Sequence, residues 1–154
     1  MKKLVLGISL FIGLISCDTN VVFEENVAMS NFVWNTDSTV TFEVNIEDTL
    51  SNYNMYFNLR NQKSYDFSNL YVYYHSTLPN GTKDLDTLHF ILANPSGHWR
   101  GTSSGEVVNN QILFKMNFQF PMSGKYSFKM EQGMRIKELE GISDVGLRIE
   151  KVKG

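Results

Sequence analysis

The only cysteine of this 154-residue chain, Cys17, has the neighbours that one specific covalent modification requires. It follows Leu14-Ile15-Ser16, so an aliphatic residue, a tolerant position and a small residue lead up to a thiol. This is the order of a bacterial lipobox, in which the cysteine sulfur accepts a diacylglyceryl group. The small Ser16 gives the signal peptidase access to the peptide bond before Cys17. The sequence therefore predicts cleavage at this bond and a lipid-bearing cysteine at the new N-terminus.

The residues before Cys17 have the composition of a signal peptide. Lys2 and Lys3 form a positively charged start, and the run from Leu4 to Ile15 is apolar and uncharged. A membrane-spanning helix needs about 20 apolar residues, so this run is too short to be one. We interpret residues 1–16 as a lipoprotein signal peptide. A single acyl chain holds a protein only weakly, so we expect a second chain such as palmitate beside the diacylglyceryl group.

Residues suited to catalysis or metal binding are sparse in the rest of the chain. Of the three histidines, His75 and His89 fall within strand-like runs and His98 lies in a loop. Asp84 and Asp86 would share one face of a strand, but His89 has the opposite parity and points away from them. No nucleophile elbow, zinc-binding helix motif or phosphate-binding loop occurs. We therefore expect a protein that is not an enzyme, with no metal site and no cofactor.

A short motif recurs three times, in which aspartate precedes Ser or Thr and an aliphatic residue or Thr follows. It resembles the O-glycosylation acceptor sequence of exported Bacteroidetes proteins. The simpler alternative is that Asp-Thr and Asp-Ser are common pairs at turns and strand starts. The candidate acceptors are Ser38, Thr49 and Thr87.

Trp99 lies in the run PSGHWRG and has two interpretations. In a sandwich lectin, an exposed tryptophan beside polar loops stacks on a sugar ring, which makes Trp99 a candidate for glycan stacking. In most sandwiches such a tryptophan closes one end of the core, and the same choice applies to Trp34 in NFVWN. The sequence favours the core role for each residue and leaves both interpretations open.

Three arginines beside apolar strand residues are candidates for contact with a partner protein, since arginine is enriched at the energetic centres of interfaces. The alternative is ordinary surface pairing with carboxylates such as Glu43, Glu47 or Glu150. The three arginines are Arg60, Arg135 and Arg148.

Alternation of apolar and polar residues with period two dominates the mature sequence and indicates β-strands. LDTLHFIL is apolar on both sides, which is typical of a central strand, and the only helical candidate is a short one at residues 134–141. The pattern predicts an all-β fold: an antiparallel β-sandwich, jelly-roll-like, of about eight strands with at most one short helix. The clearest run, ILFKMNFQF, is predicted to point five side chains inward, namely Ile112, Phe114, Met116, Phe118 and Phe120.

Cleavage before Cys17 leaves 138 residues, enough for one domain, and changes the formal charge from −2 to −4 through the loss of two lysines. We expect a lipidated N-terminus and tether over residues 17–28, of which residues 21–23 are suited to joining the sheet as an edge strand. Residues 29–154 are predicted to form a single β-sandwich domain without disulfides. The mature chain is mildly acidic and has no basic run, so nucleic acid is not an expected partner.

Several longer runs resemble one known family. They are the lipobox, YFNLRNQKSYDFSNLYVYY at residues 56–74, DTLHFILA with the later GHWRG, and GKYSFKMEQGMRIKELEGISDVGLRIEKV near the C-terminus. Together they resemble the GldH family of gliding-motility lipoproteins in Bacteroidetes, over nearly all of the mature chain. The most distinctive stretch is the last one.

This resemblance implies a cell-envelope lipoprotein that is required for gliding and linked to the type IX secretion apparatus. Its implied partners are the membrane, through the lipid anchor, and other envelope proteins of gliding and secretion. The expected location is the outer membrane, on the periplasmic face rather than the cell surface. The resemblance supplies no catalytic residues. The competing interpretation is a β-sandwich lipoprotein that binds glycans or peptidoglycan.

We predict that Cys17→Ser abolishes both lipid attachment and normal maturation, because the sulfur that receives the lipid is gone. Fractionation of cells that express the variant should recover unprocessed, unlipidated protein, whereas the wild-type chain sediments with the membranes. A Cys17→Ser protein that still matures and remains anchored through lipid would contradict the assignment.

Overall fold

The computed structural model describes residues 20–153, so Cys17 and the predicted signal peptide lie outside the described residues. Within this range the chain is built almost entirely of strands, with one 3₁₀ turn at Ser30–Phe32. No helix between residues 20 and 153 has the length and apolar character needed to cross a membrane. The strands are β1 (Val21–Ala28), β2 (Val33–Asn35), β3 (Val40–Ile46), β4 (Tyr53–Gln62), β5 (Asn69–Thr77), β6 (Lys83–Ile91), β7 (Thr102–Ser104), β8 (Val107–Phe118), β9 (Gly124–Gln132), β10 (Glu138–Glu140) and β11 (Ile142–Lys151).

The strands form two main sheets, which confirms the predicted all-β sandwich. One sheet has five strands in the order β1-β11-β4-β8-β7, and the other has four in the order β3-β9-β5-β6. β2 and β10 form a separate two-stranded ribbon that packs against the core, and every pairing is antiparallel. Numbered in chain order, the eight long strands read 1-8-3-6 in one sheet and 2-7-4-5 in the other. That is the double Greek key of a jelly roll.

The core lies between the two sheets and follows the alternation in the sequence. In β3, for example, every second side chain is buried and the intervening ones are exposed. Phe57 of the five-stranded sheet stacks on Phe90 of the four-stranded sheet, with ring centroids 4.6 Å apart. Phe23 meets Phe42 edge to face at 6.2 Å, so β1 also contributes to the contact between sheets. Burying one such phenylalanine side chain contributes about 1.5–3 kcal/mol, and contacts of this kind hold the sheets together.

Met116 is a correction to the predicted inward face of β8, because its side chain is 70% exposed. The pairing of β8 with β4 shifts twice, between Leu113 and Lys115 and again between Lys115 and Phe118. Each shift inserts one extra residue, as a β-bulge does. Asn117 inside this region has a φ of 51°, and its N–H donates to the Asn54 side chain. Because the two insertions together restore the original parity, Phe118 points back toward the core.

The run LDTLHFIL forms most of β6, which is an edge strand and not the predicted central one. It pairs only with β5 among the described strands. Its second apolar face is simply exposed, since Leu85 is 58% and Ile91 42% accessible. Apolar residues on both faces of a strand therefore did not mean burial on both faces here.

The predicted helix at 134–141 is also wrong, because this segment forms a bend followed by β10. The buried Gln132 side chain accepts a hydrogen bond from the Met134 N–H at 2.8 Å and donates to the Ile136 carbonyl at 2.8 Å. The Ile136 carbonyl thus accepts from a side chain in place of the backbone N–H that a helix would supply. Leu139 is fully buried opposite Trp34 in the β2–β10 ribbon.

The expected tether is shorter than residues 17–28, because β1 begins at Val21. Residues 21–28 pair with β11 over nearly its whole length, and Phe23 and Val27 pack against the core. The region suggested as a short edge strand at 21–23 is thus part of a full eight-residue strand. The folded domain includes this strand and does not start at residue 29.

Asp48 fastens the β3–β4 connection to the end of β11. Its carboxylate accepts hydrogen bonds from the Leu50 N–H at 2.9 Å, from the Ser51 N–H at 3.1 Å and from the Ser51 hydroxyl at 2.6 Å. The Lys151 ammonium donates to the same carboxylate at 2.7 Å. The bonds from Lys151 and Ser51 hold the pKa of Asp48 well below its usual range.

We expect Phe57→Ala to lower the free energy of unfolding by about 3–5 kcal/mol, because it removes a fully buried ring and leaves a cavity. Met116→Ala is the matched control on the neighbouring strand and should change it by less than about 0.5 kcal/mol. Urea unfolding of the mature chain measures both values. Equal losses for the two variants would contradict the bulged geometry of β8.

We predict that Asp48→Asn lowers the melting temperature at pH 7, since a neutral amide cannot form the ion pair with Lys151. The folded-state pKa of Asp48 is depressed, so its contribution is complete above the ordinary pKa of about 4 and is lost as the pH falls through the folded value. The difference from wild type should therefore shrink below about pH 4. The exposed Asp66→Asn variant is the control. A pH-independent difference would contradict the electrostatic explanation.

Candidate functional site

The outer face of the five-stranded sheet carries an open groove of about 780 Å³. Outward positions of β1, β4 and β8 supply its floor, because successive side chains of a strand alternate between faces. Ile91 and residues 100–102 line the groove beside β8 and form one wall. We call this feature the amide groove after the side chains that dominate its floor, which are Asn26, Asn58, Asn109 and Gln111.

Three of these amides form a hydrogen-bonded row across the sheet. Gln111 Nε2 donates to Asn58 Oδ1 at 3.2 Å, and Asn58 Nδ2 donates to Asn26 Oδ1 at 3.2 Å. Asn58 Nδ2 also donates to Glu24 Oε1 at 2.9 Å. Asn58 is 9% exposed, and its hydrogen bonds to Gln111, Asn26 and Glu24 hold its amide group in one orientation. The row therefore presents fixed donors and acceptors over three strands.

Two glycines make this construction possible. Gly146 of β11 lies between Asn26 and Asn58 in the sheet register, and a Cβ there would collide with the Asn26 side chain and the Glu25 carbonyl. At Gly101, a Cβ would lie 2.5 Å from the Asn109 carbonyl oxygen. Gly146 lies within β11, and a glycine within a strand is typical of a place where another group must approach the backbone closely.

Arg148 lies on the same face but is built into an ion-pair network. Its side chain is 16% exposed and lies 2.7 Å from a Glu24 oxygen and 3.1 Å from a Glu150 oxygen. Burial alone would lower the pKa of Arg148, but the hydrogen bonds to Glu150 and Glu24 outweigh it and raise this pKa. The Tyr56 hydroxyl donates to Glu150 at 2.7 Å, and this bond, together with burial, raises the pKa of Tyr56. Arg148 therefore matches the surface-pairing alternative, with Glu150 as one partner.

Arg60 and Arg135 lie in different environments from Arg148. Arg60 is 53% exposed, lines the amide groove and lies 3.2 Å from an Asp144 oxygen. Arg135 is exposed in the bend between β9 and β10. The three arginines therefore do not form one patch: two are on the outer face of the five-stranded sheet and one is on a loop.

Both tryptophans pack at one end of the sandwich core. Trp34 is fully buried, and its indole N–H donates to the Ser38 carbonyl at 3.0 Å. Trp99 is partly buried against the core, with its ring 6.4 Å from that of Tyr65. This geometry favours the core interpretation of Trp99 over an exposed stacking platform.

The three histidine side chains do not lie together at one site. His75 Nε2 lies 3.6 Å from a Glu131 oxygen, which is too long for a hydrogen bond. His89 stacks on Tyr71 with ring centroids 4.2 Å apart. His98 is exposed in the turn after β6. Within residues 20–153, no three histidine, cysteine or acidic side chains are close enough to hold a metal ion.

The candidate glycosylation residues lie apart from the amide groove. Ser38 follows the turn after β2 and Thr87 lies on β6, and both are exposed. Thr49 is half-buried within the turn that Asp48 organises.

Apart from Arg60, the residues of the amide groove were not predicted from the sequence, because the candidates there were charged and aromatic side chains. A signal was present in β4 and β8, where amides occupy outward positions of otherwise well-patterned strands. The meaning of that signal depended on the sheet order, which brings β1, β11, β4 and β8 side by side.

Comparison with known proteins identifies the same family over nearly all of the described sandwich. The family profile described as GldH lipoprotein matches residues 21–149, from the first residue of β1 to near the end of β11. The match thus begins where the folded domain begins.

Two relatives align along most of their own length. A Christiangramia forsetii protein named gliding motility lipoprotein GldH homolog is 38% identical over 143 residues, which cover 88% of this chain and 87% of the relative. The gliding motility lipoprotein GldH of Flavobacterium johnsoniae is 34% identical over 145 residues, which cover 90% of this chain and 89% of the relative. The chain therefore belongs to the GldH lipoprotein family.

Proposed function

We propose that this protein is a cell-envelope lipoprotein required for gliding motility, and that it assembles or stabilises components of the gliding and type IX secretion machinery. The observation that carries the proposal is family membership over residues 21–149, together with two relatives named for gliding motility.

The strand order supports a defined orientation on the membrane. The carbonyl of Asn20, the first described residue, accepts a hydrogen bond from the Lys151 N–H at 2.8 Å. Three residue steps separate Asn20 from Cys17, which allows a span of about 10 Å at most. We infer that the sandwich end with the β3–β4 connection faces the lipid, in the outer membrane and on its periplasmic face. The opposite end then lies about 33 Å away, the length of ten-residue β4.

We propose that Arg60 and Arg135 contact partner proteins, because both are exposed and lie toward the end of the domain remote from Asn20. Arg60 is near the last residues of β4, and Arg135 is in the bend before β10. Arg148 is held by two carboxylates, so replacing it should act mainly through folding.

We expect Arg60→Glu and Arg135→Glu to reduce colony spreading in a gliding host, because like charges meeting at an interface cost several kcal/mol. Lys125→Glu is the matched control: it reverses an exposed charge on the four-stranded sheet, where Lys125 of β9 lies 3.3 Å from Glu43 of β3. Arg148→Glu should instead lower protein abundance. Spreading assays with immunoblots of each variant measure both effects.

A histidine substitution provides the comparison in which no loss of spreading is expected. His98→Ala should leave spreading intact, since its exposed side chain has no proposed role. Normal spreading by abundant arginine variants, together with loss of spreading in an abundant His98→Ala strain, would overturn the scaffold proposal in favour of catalysis or metal binding.

We also propose that Ser38, Thr49 and Thr87 carry O-glycans in the native host. Exposure of Ser38 and Thr87 supports this more strongly than the half-buried position of Thr49 does. Intact-mass measurement of protein from the native host should show added hexose-type increments that disappear, one site at a time, in Ser38→Ala and Thr87→Ala. A mass that equals polypeptide plus lipid would contradict the proposal.

A further inference from the structure

We propose that the amide groove binds a neutral oligosaccharide. This inference does not depend on the role in gliding, because it rests on the chemistry of the groove alone. The site is distinct from Trp99, which packs against the core.

The size of the groove suits a chain of a few sugar units. Its volume of about 780 Å³ falls within the range of roughly 300–1,000 Å³ that is common for small-molecule sites. The floor is a paired sheet, which keeps its side chains in place. Rigid polar groups bind with a smaller loss of conformational entropy than groups on a mobile loop.

The amides retain hydrogen-bonding capacity that the protein does not use. Gln111 Oε1, Asn26 Nδ2 and Asn109 Oδ1 have no hydrogen-bond partner among residues 20–153. Each amide side chain places a donor beside an acceptor, and each sugar hydroxyl likewise donates one bond and accepts others. A row of amides is therefore complementary to a row of hydroxyls.

The charges on this face nearly balance, which favours an uncharged ligand. Arg60 is paired with Asp144 at 3.2 Å, and Arg148 lies between Glu24 and Glu150. Arg100 on the wall is left as the only cation in excess among the residues lining the groove. A polyanion such as nucleic acid would meet three acidic side chains here, and a polycation would meet as many arginines.

The β8 side of the groove supplies an apolar strip. Leu113 is 40% exposed and Ile91 is 42% exposed, and both line the groove. The C–H face of a sugar ring is apolar and can cover such side chains while its hydroxyls reach the amides. The combination of amide floor and aliphatic wall suits a carbohydrate better than a simple ion.

Nuclear magnetic resonance titration of the mature lipidated chain in sugar-free zwitterionic micelles tests the proposal. The probes are the neutral hexasaccharides maltohexaose, cellohexaose and chitohexaose. Hexagalacturonic acid is the anionic oligosaccharide with which they are compared. We expect at least one neutral probe to bind with a dissociation constant of about 1 mM or lower. Its binding should shift the side-chain NH₂ resonances of the groove amides.

Gln111→Ala should weaken this binding about 3- to 10-fold, the usual effect of losing one hydrogen bond. Gln111→Glu is a second variant of nearly unchanged shape, and it should also weaken binding because it loses the Nε2 donor that joins Gln111 to Asn58 in the row. The matched control is Asn45→Ala, an exposed amide on β3 of the other sheet. Its affinity should equal that of wild type.

Three results would overturn the proposal. One is no response to any neutral probe, and another is a response to hexagalacturonic acid alone. The third is binding that Gln111→Ala and Gln111→Glu leave unchanged while both variants are folded, since the ligand would then occupy another part of the surface.

Discussion

The position of the last strand governs the rest of this structure. β11 pairs with β1 on one side and with β4 on the other, so the first and last strands of the described domain lie side by side at one edge of the five-stranded sheet. Its inward side chains Val145, Leu147 and Ile149 are fully buried. The single cysteine of the chain excludes an intramolecular disulfide, so burial and backbone pairing must hold the ends together. The described domain is therefore complete only when its final residues are in place.

This closure also underlies the orientation proposed for the domain. The Asn20 carbonyl pairs with the Lys151 N–H, and Asp48 fastens the neighbouring connection to the same residue. These contacts give the N-terminal end of β1 a rigid junction with the sandwich. A lipid attached a few residues earlier would therefore hold one end of the sandwich near the bilayer and leave the opposite loops accessible.

The outer face of the same sheet shows how burial separates structural charges from accessible ones. Arg148 and Arg60 both point outward, but Arg148 is 16% exposed between two carboxylates and Arg60 is 53% exposed beside one. A partly buried ion pair that loses one partner leaves a poorly solvated charge, so we expect replacement of Arg148 to act mainly through folding. An exposed pair contributes little to stability, which leaves Arg60 available for other contacts. Residue type alone does not distinguish these roles.

The sequence by itself determined which side chains face the core in most strands, and it indicated the jelly-roll sandwich and the family. Those properties are local, because the alternation of apolar and polar residues within one strand, such as β3, is enough to predict which face is buried. The bulges that expose Met116, the edge position of β6 and the Gln132 bonds that replace a helix were decided by partners distant in sequence. The amide groove depended on tertiary structure most of all, since Asn26, Asn58 and Gln111 come from three strands that become neighbours only through the sheet order. Pairing over such separations is selected by the packing of the whole core, and a pattern within one segment cannot encode it.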